Sequence, residues 1–184
     1  MPTVLMPLAQ GFEEIEAITV VDILRRAGIE VVVAGLVSGS ISGAHAILVV
    51  PDTTIDAVNP DSFDMIVLPG GQPGTDNLNA DPRVHALLKE FATNNKLIGA
   101  ICAAPIVLAA AGVLNGKKAT CYPAYIDRLN GGIYEDTAVV SDGGVITSQG
   151  VGTAIEFGLA LVARLTSQAT SDGIAKAMLV QDRP

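Results

Sequence analysis

The chain has 184 residues, 49% of them hydrophobic and 16% charged, which is enough for one full core and too apolar for a disordered chain. A formal charge of −8 leaves no basic stripe for a phosphate backbone, so nucleic-acid binding is disfavoured. Aromatic residues make up 4% and Trp is missing, so the core must be built from Val, Ile, Leu and Ala, as buried parallel strands are.

Residues 4–8 form a short apolar run that predicts a strand, turned at Gly11. Residues 13–27 predict a helix: Ile15, Ile18, Val21 and Ile23-Leu24 recur near a helical period, and Gly28 stops it. Arg25 and Arg26 in its last turn suit either capping of helix carbonyls or a subunit interface. Residues 29–34 are a second strand, so the chain opens with a βαβ unit, a parallel pair joined by a right-handed crossover. A Gly/Ser-rich turn at 38–43 precedes a hairpin strand at 46–50. Met65–Leu68 is another buried strand and ends in Pro69-Gly70-Gly71-Gln72-Pro73-Gly74. Asp81-Pro82 opens a helix to about Thr93, with Pro at the first helical position. A strand over 96–101 runs directly into Cys102-Ala103-Ala104 and a helix over 105–111. A short strand at 119–121 and a short helix at 124–129 follow, then a hairpin turning on Asp142-Gly143-Gly144. Gly150-Val151-Gly152-Thr153 leads into a helix over 154–165, and a last helix covers about 171–179, with Met178 and Leu179 on apolar surface. Alternating β and α units predict one doubly wound α/β domain over 1–184, a three-layer sandwich with a mostly parallel sheet. Such folds bind ligands outside the carboxyl ends of their strands.

The longest apolar run, 98–114, is interrupted by Gly99, Pro105 and Gly112 and reads as strand, turn and helix rather than a membrane span. No basic, apolar leader opens the chain, so a cytoplasmic location is expected, with Cys102 and Cys121 as free thiols.

Three loops at strand ends carry chemistry: Glu13-Glu14-Ile15-Glu16, Gly70-Gly71 and Cys102-Ala103. Cys102 occupies a strand-to-helix turn, the geometry of a nucleophile elbow. There the free N–H groups of the helix start favour thiolate. A buried, inert cysteine fits the same position. A carboxyl facing the thiol can exchange its proton, and the N–H groups of Gly71 and Ala103 can hold an oxyanion. Acids in a first helical turn also offset the helix dipole, which is the whole role expected of Glu13 and Glu14, and Gly70-Gly71 also suits a plain tight turn. Chemistry alone does not choose among the three glutamates. His45 and His85 are expected on the surface, neither at a metal-ligand spacing with a cysteine, and Cys121 as a packed strand residue. Gly150-Val151-Gly152 fails the dinucleotide fingerprint and Gly116-Lys117-Lys118 fails the P-loop. No cofactor and no metal are expected.

The runs Gly11-Phe12-Glu13-Glu14-Ile15-Glu16-Ala17, Arg25-Arg26-Ala27-Gly28-Ile29, Val67-Leu68-Pro69-Gly70-Gly71, Ala100-Ile101-Cys102-Ala103-Ala104-Pro105 and Thr147-Ser148-Gln149-Gly150-Val151-Gly152-Thr153, in this order and spacing, resemble the DJ-one branch of the ThiJ/PfpI superfamily along nearly the whole chain. The resemblance implies a flavodoxin-like sandwich, also seen in class I glutamine amidotransferase domains, and a homodimer. It singles out Glu16 as the partner of Cys102, and Gly71 and Ala103 as oxyanion donors. It implies a Cys102 that oxidises as far as the sulfinate, because protonated Glu16 donates a hydrogen bond to that group. Stress-response roles follow, with glyoxalase, protein deglycase or chaperone activity on small aldehydes or glycated adducts. The chain departs from the pattern at Tyr122, which stands where some members carry His, and at Val151, which replaces a common proline. A phenol with a pKa of about 10 is a poor base at neutral pH, which argues against a Cys–His–Glu hydrolase and leaves Tyr122 a substrate-binding position.

Overall fold

A computed structural model describes residues 1–180. β1 (Thr3–Leu8), α1 (Glu14–Arg26) and β2 (Glu30–Gly35) make the opening parallel unit. A small antiparallel hairpin, β3 (Ile41–Ser42) with β4 (Leu48–Val49), is followed by the edge strand β5 (Thr53–Thr54). β6 (Met65–Leu68), α2 (Gly74–Ala80), α3 (Pro82–Thr93), β7 (Leu97–Ile101) and α4 (Pro105–Ala110) come next. β8 (Lys118–Ala119) pairs with β9 (Ile133–Tyr134) outside the main sheet. β10 (Val139–Asp142) and β11 (Val145–Ser148) form a hairpin before α5 (Ala154–Leu165) and α6 (Gln168–Ala177).

The main sheet has the order β10-β11-β7-β6-β1-β2-β5. All of its pairs are parallel except β10 with β11 at one edge. Strand alternation divides the core. Val4, Met6, Met65 and Val67 face a layer that includes Ala17, Val20, Phe157 and Leu161 of α1 and α5. Leu5, Ile66, Leu68 and Ile98 face the opposite layer, with Leu78, Leu88, Phe91 and Val107 of α2, α3 and α4. This is the expected three-layer α/β sandwich. Among the described residues no helix is long and apolar enough to cross a membrane.

Several local expectations are corrected. The buried face of α1 is Ala17, Val20, Val21, Ile23 and Leu24, while Ile15 and Ile18 point outward and are 55% and 45% exposed. Periodicity alone could not separate a core stripe from a second apolar stripe. α2 is an element the sequence reading does not contain, since Gly74-Thr75-Asp76-Asn77 are poor helix formers. It stands on tertiary contacts: Leu78 is buried and the Asn77 amide donates to the Gln10 carbonyl at 2.8 Å. β5 and β9, two residues each, were missed. Residues 123–128 form a 3-10 turn, Cys121 lies beyond the end of β8, and α6 starts at Gln168. Arg25 and Arg26 cap no carbonyl of their own helix. Arg25 donates to the Val31 carbonyl and to Asp52, and Arg26 pairs with Asp22. Met178 packs on the core, whereas Leu179 is 86% exposed.

Candidate active site

The carboxyl ends of β1, β6, β7 and β11 converge on Cys102. It follows β7 directly, and its backbone is left-handed, with φ 65°. That conformation is strained for a side-chain-bearing residue, and the backbone is clamped from two sides. The Cys102 N–H donates to the Ser148 carbonyl at 2.9 Å and its carbonyl accepts from the Tyr122 N–H at 2.8 Å. Both cysteines are free, Cys102 partly exposed and Cys121 buried.

Glu16, in the first turn of α1, is fully buried. Glu13 caps that helix by accepting the Glu16 N–H at 2.8 Å, which fixes the backbone. One carboxylate oxygen, Oε2, accepts from the Gly70 N–H at 2.9 Å. The other, Oε1, is buried without a conventional hydrogen-bond partner. Burial pushes the Glu16 carboxyl up to about 7, with Cys102 and the Gly70 N–H opposing and Glu13 assisting the rise. Burial, and then the Glu16 charge, push the Cys102 thiol up to about 12, against the N–H groups of Ala103 and Gly71. The two side chains therefore titrate as a pair. The first proton leaves near neutrality, and the second is held because two adjacent buried negative charges repel.

This corrects the expectation that the helix start would favour a thiolate. α4 has only six residues, so its dipole is weak, and the donors acting on sulfur are two specific N–H groups. Gly70 and Gly71 are also more than a plain turn. A Cβ on Gly70 would lie 2.6 Å from Oε2 of Glu16 and 2.7 Å from Cβ of Cys102. Gly71 has φ +92°, and a Cβ there would lie 2.3 Å from the Glu13 N. Only bare backbone lets these N–H groups approach the pair.

All five residues singled out from the sequence, Cys102, Glu16, Gly71, Ala103 and Tyr122, meet at this one place. Tyr122 is 49% exposed, its backbone N–H bonds the Cys102 carbonyl, and its ring borders Gly150, whose backbone also faces Cys102 and Glu16. Sequence reasoning missed Ser148 and Gly150, whose only signal was their place in a quoted motif. It also undervalued Glu14. Glu14 accepts from the backbone N–H of His45 at 2.6 Å and pairs with its ring Nδ1 at 2.9 Å, which ties α1 to the loop between β3 and β4. Glu13, Glu14 and His45 have ligand atoms within 4.8 Å of one another, but Glu14 and His45 already satisfy each other.

The family model for the DJ-1/PfpI family matches residues 2–164. The chain is 43% identical over 179 residues to Protein dj-1beta of Drosophila melanogaster, covering 96% of both. It is 38% identical over 176 residues to the glutathione-independent glyoxalase DJR-1.2 of Caenorhabditis elegans, covering 94% of this chain and 92% of that one. The solved structure of oxidized Toxoplasma gondii DJ-1 superposes with a TM-score of 0.94 at 37% identity, covering 97% and 98% of the two chains. Family model, sequence relatives and solved structure agree with the mostly parallel sandwich, and the chain belongs to the DJ-1/PfpI family.

Proposed function

We propose that this protein is a cofactor-independent glyoxalase-type enzyme that converts small α-oxoaldehydes to hydroxy acids through Cys102 and Glu16. The observation that carries the reading is the buried Glu16 carboxyl, raised to about 7, beside a clamped cysteine that two backbone N–H groups attend. A carboxyl poised near neutrality serves as both acid and base. The Cys102 sulfur adds to the aldehyde carbon, and the thiol proton passes through Glu16 to the new alkoxide, giving a hemithioacetal. Glu16 then removes the proton from that carbon and the neighbouring ketone carbon is protonated, so the first carbon is oxidised to a thioester as the second is reduced to an alcohol. Water cleaves the thioester, releasing hydroxy acid and restoring the thiol. The Gly71 and Ala103 N–H groups are suited to the oxyanions formed on the way. The same addition would serve early glycation adducts, a deglycase activity. The likeness to a glutathione-independent glyoxalase supports this reading. Cys102→Ser and Glu16→Gln are each expected to abolish lactate formation from methylglyoxal, measured with lactate oxidase or dehydrogenase of either stereospecificity. Retained turnover in either variant would exclude the mechanism.

A second reading is a peroxide-sensing protein with chaperone function, favoured by the attended sulfur and by the oxidized state named for the Toxoplasma gondii relative. Mass spectrometry after mild peroxide should then show Cys102 gaining two oxygens and stopping there. A sulfur that stays reduced, or runs on to the sulfonate, rules it out.

We further propose a homodimer. Its support is apolar surface left open around α1. Ile15 lines a groove with Val151 and Ile155, and Ile18 lines another with Val49 and Val50.

A further inference from the structure

Ser148, Gly150 and Thr153 form a chain of hydrogen bonds beside the proton pair, and chemistry fixes the direction of each bond. The Ser148 hydroxyl lies 2.7 Å from the Ala138 carbonyl and 2.7 Å from Thr153 Oγ1. A carbonyl only accepts, so Ser148 spends its single proton on Ala138 and accepts from Thr153. Thr153 Oγ1 in turn accepts the Gly150 N–H at 3.1 Å. Oγ1 also lies 2.9 Å from the Gly150 carbonyl, but that oxygen already takes the Thr153 N–H at 2.9 Å. The donors therefore point one way, from the Gly150 N–H through Thr153 and Ser148 to Ala138, and bonds in such a chain polarise and strengthen one another.

Both backbones that this chain holds border the site. The Ser148 carbonyl accepts the Cys102 N–H at 2.9 Å. Gly150 is buried, and a Cβ built on it would lie 3.9 Å from Glu16 Oε1 and 3.9 Å from Cys102 Sγ. Its backbone therefore borders the carboxylate oxygen that is buried without a hydrogen-bond partner. Water reaching that oxygen would solvate its charge, so whatever covers Oε1 governs how hard Glu16 is to ionise. Gly150 has no side chain to anchor it, and both its N–H and its carbonyl are bonded to Thr153.

We propose that Thr153 is a positioning residue that closes the Gly150 turn over Glu16 Oε1, keeps water from that oxygen, and so sets the pH at which the Cys102–Glu16 pair gives up its first proton. This rests on the pairing used in the glyoxalase reading, though not on turnover. The titratable groups around Glu16 are Cys102 at the elbow, Glu13 on α1 and, across Gly150, Tyr122. Thr153 itself does not titrate, so its effect on the pair passes through the turn. Burial is the largest cause of the raised Glu16 value, and an opened turn removes that cause.

Two titrations test it on wild type, Thr153→Val, Thr153→Ser and Ser148→Ala. One follows the pH dependence of Cys102 alkylation by iodoacetamide. The other follows Glu16 itself by carbon NMR of protein labelled at the glutamate carboxyl carbons, with Glu16 assigned by its loss in Glu16→Gln. Valine keeps the shape of threonine and removes the hydroxyl. In Thr153→Val the alkylation inflection and the Glu16 titration should both fall from near 7 by about one pH unit or more. Thr153→Ser should restore both. Ser148→Ala should move them less, because the Thr153 hydroxyl can turn to the Gly150 carbonyl. Thr153→Ala repeats the measurement should the valine variant unfold. A Thr153→Val protein that is less stable but titrates as wild type has lost only a structural cap, which overturns the proposal, as does a fall that serine fails to restore. If wild type releases no hydroxy acid from methylglyoxal while Thr153→Val still lowers the Glu16 titration, the glyoxalase reading fails and the positioning role stands. If wild type turns over and the Thr153→Val titration is unmoved, the positioning role fails alone.

Discussion

At the scale of single residues, the chemistry rests on one proton shared by Glu16 and Cys102. Cys121 is fully buried and pushed up to about 11 by that burial, so thiol alkylation near neutral pH reports Cys102. The alkylation rate should rise through an inflection near 7, where the pair loses its first proton. In Glu16→Gln the inflection should move upward, because the amide can neither take the thiol proton nor return one. An inflection unmoved by the substitution would mean that the two groups titrate independently. The same pair sets a stability trend. Glu16 holds its proton more tightly in the folded chain, at about 7 against an ordinary 4.5. Burial therefore carries no ionisation penalty below about 4.5, and stability falls as pH rises from there through 7. The loss approaches about 3 kcal/mol at higher pH for the pair. Glu16→Gln should accordingly be more stable than wild type at pH 8 and nearly equal to it at pH 4.5, as read by urea unfolding. Equal stability at both pH values would show that the carboxyl is not desolvated.

At the scale of elements, α1 is the part whose role changed most. Its first turn presents three glutamates, and the fold gives each a different task. Glu13 caps the helix, Glu14 holds the loop after β3, and Glu16 enters the site. Composition and helix-dipole arguments treat the three alike; only the direction in which each leaves the helix distinguishes them. The hydrogen bond to Glu14, and then its charge, raise the pKa of His45. Burial pushes Glu14 upward, but the bonds from His45 and Ile47 outweigh it and hold Glu14 below the ordinary carboxyl value. The tether is thus complete only with Glu14 ionised and His45 protonated. It weakens as pH rises through the raised His45 value or falls through the lowered Glu14 value. An NMR titration of His45 should give a pKa above 6.5, returning to that reference in Glu14→Gln. An unshifted wild-type value would mean that the ring and carboxylate do not pair in solution.

At the scale of the whole molecule, Ile15 and Ile18 are left outside the core, near Val50, Val151 and Ile155, which are exposed too. A helix with a second apolar stripe needs a second surface to cover it. If a second copy does so, Ile18→Asp should convert the protein from dimer to monomer in sedimentation equilibrium while leaving circular dichroism unchanged. A wild-type monomer, or a dimer that tolerates the charge, would place the interface elsewhere.

By itself, the sequence determined the layer order, the parallel sheet and the cysteine elbow. Those follow from local properties: continuous apolar runs make buried strands, Gly and Pro mark turns, and a thiol between strand and helix has one place to be. Its motifs, by resemblance, named Glu16 among the three acids. Tertiary structure alone decided what lies between elements far apart in the chain. It put the N–H of Gly70 on Glu16, the ring of Tyr122 beside Gly150, and His45 on Glu14. It also reversed the expected direction at Cys102, where burial and a neighbouring carboxyl outweigh two N–H donors. The physical reason is common to all four. Desolvation, close approach and charge coupling depend on distances across the fold, and residue order does not encode them one position at a time.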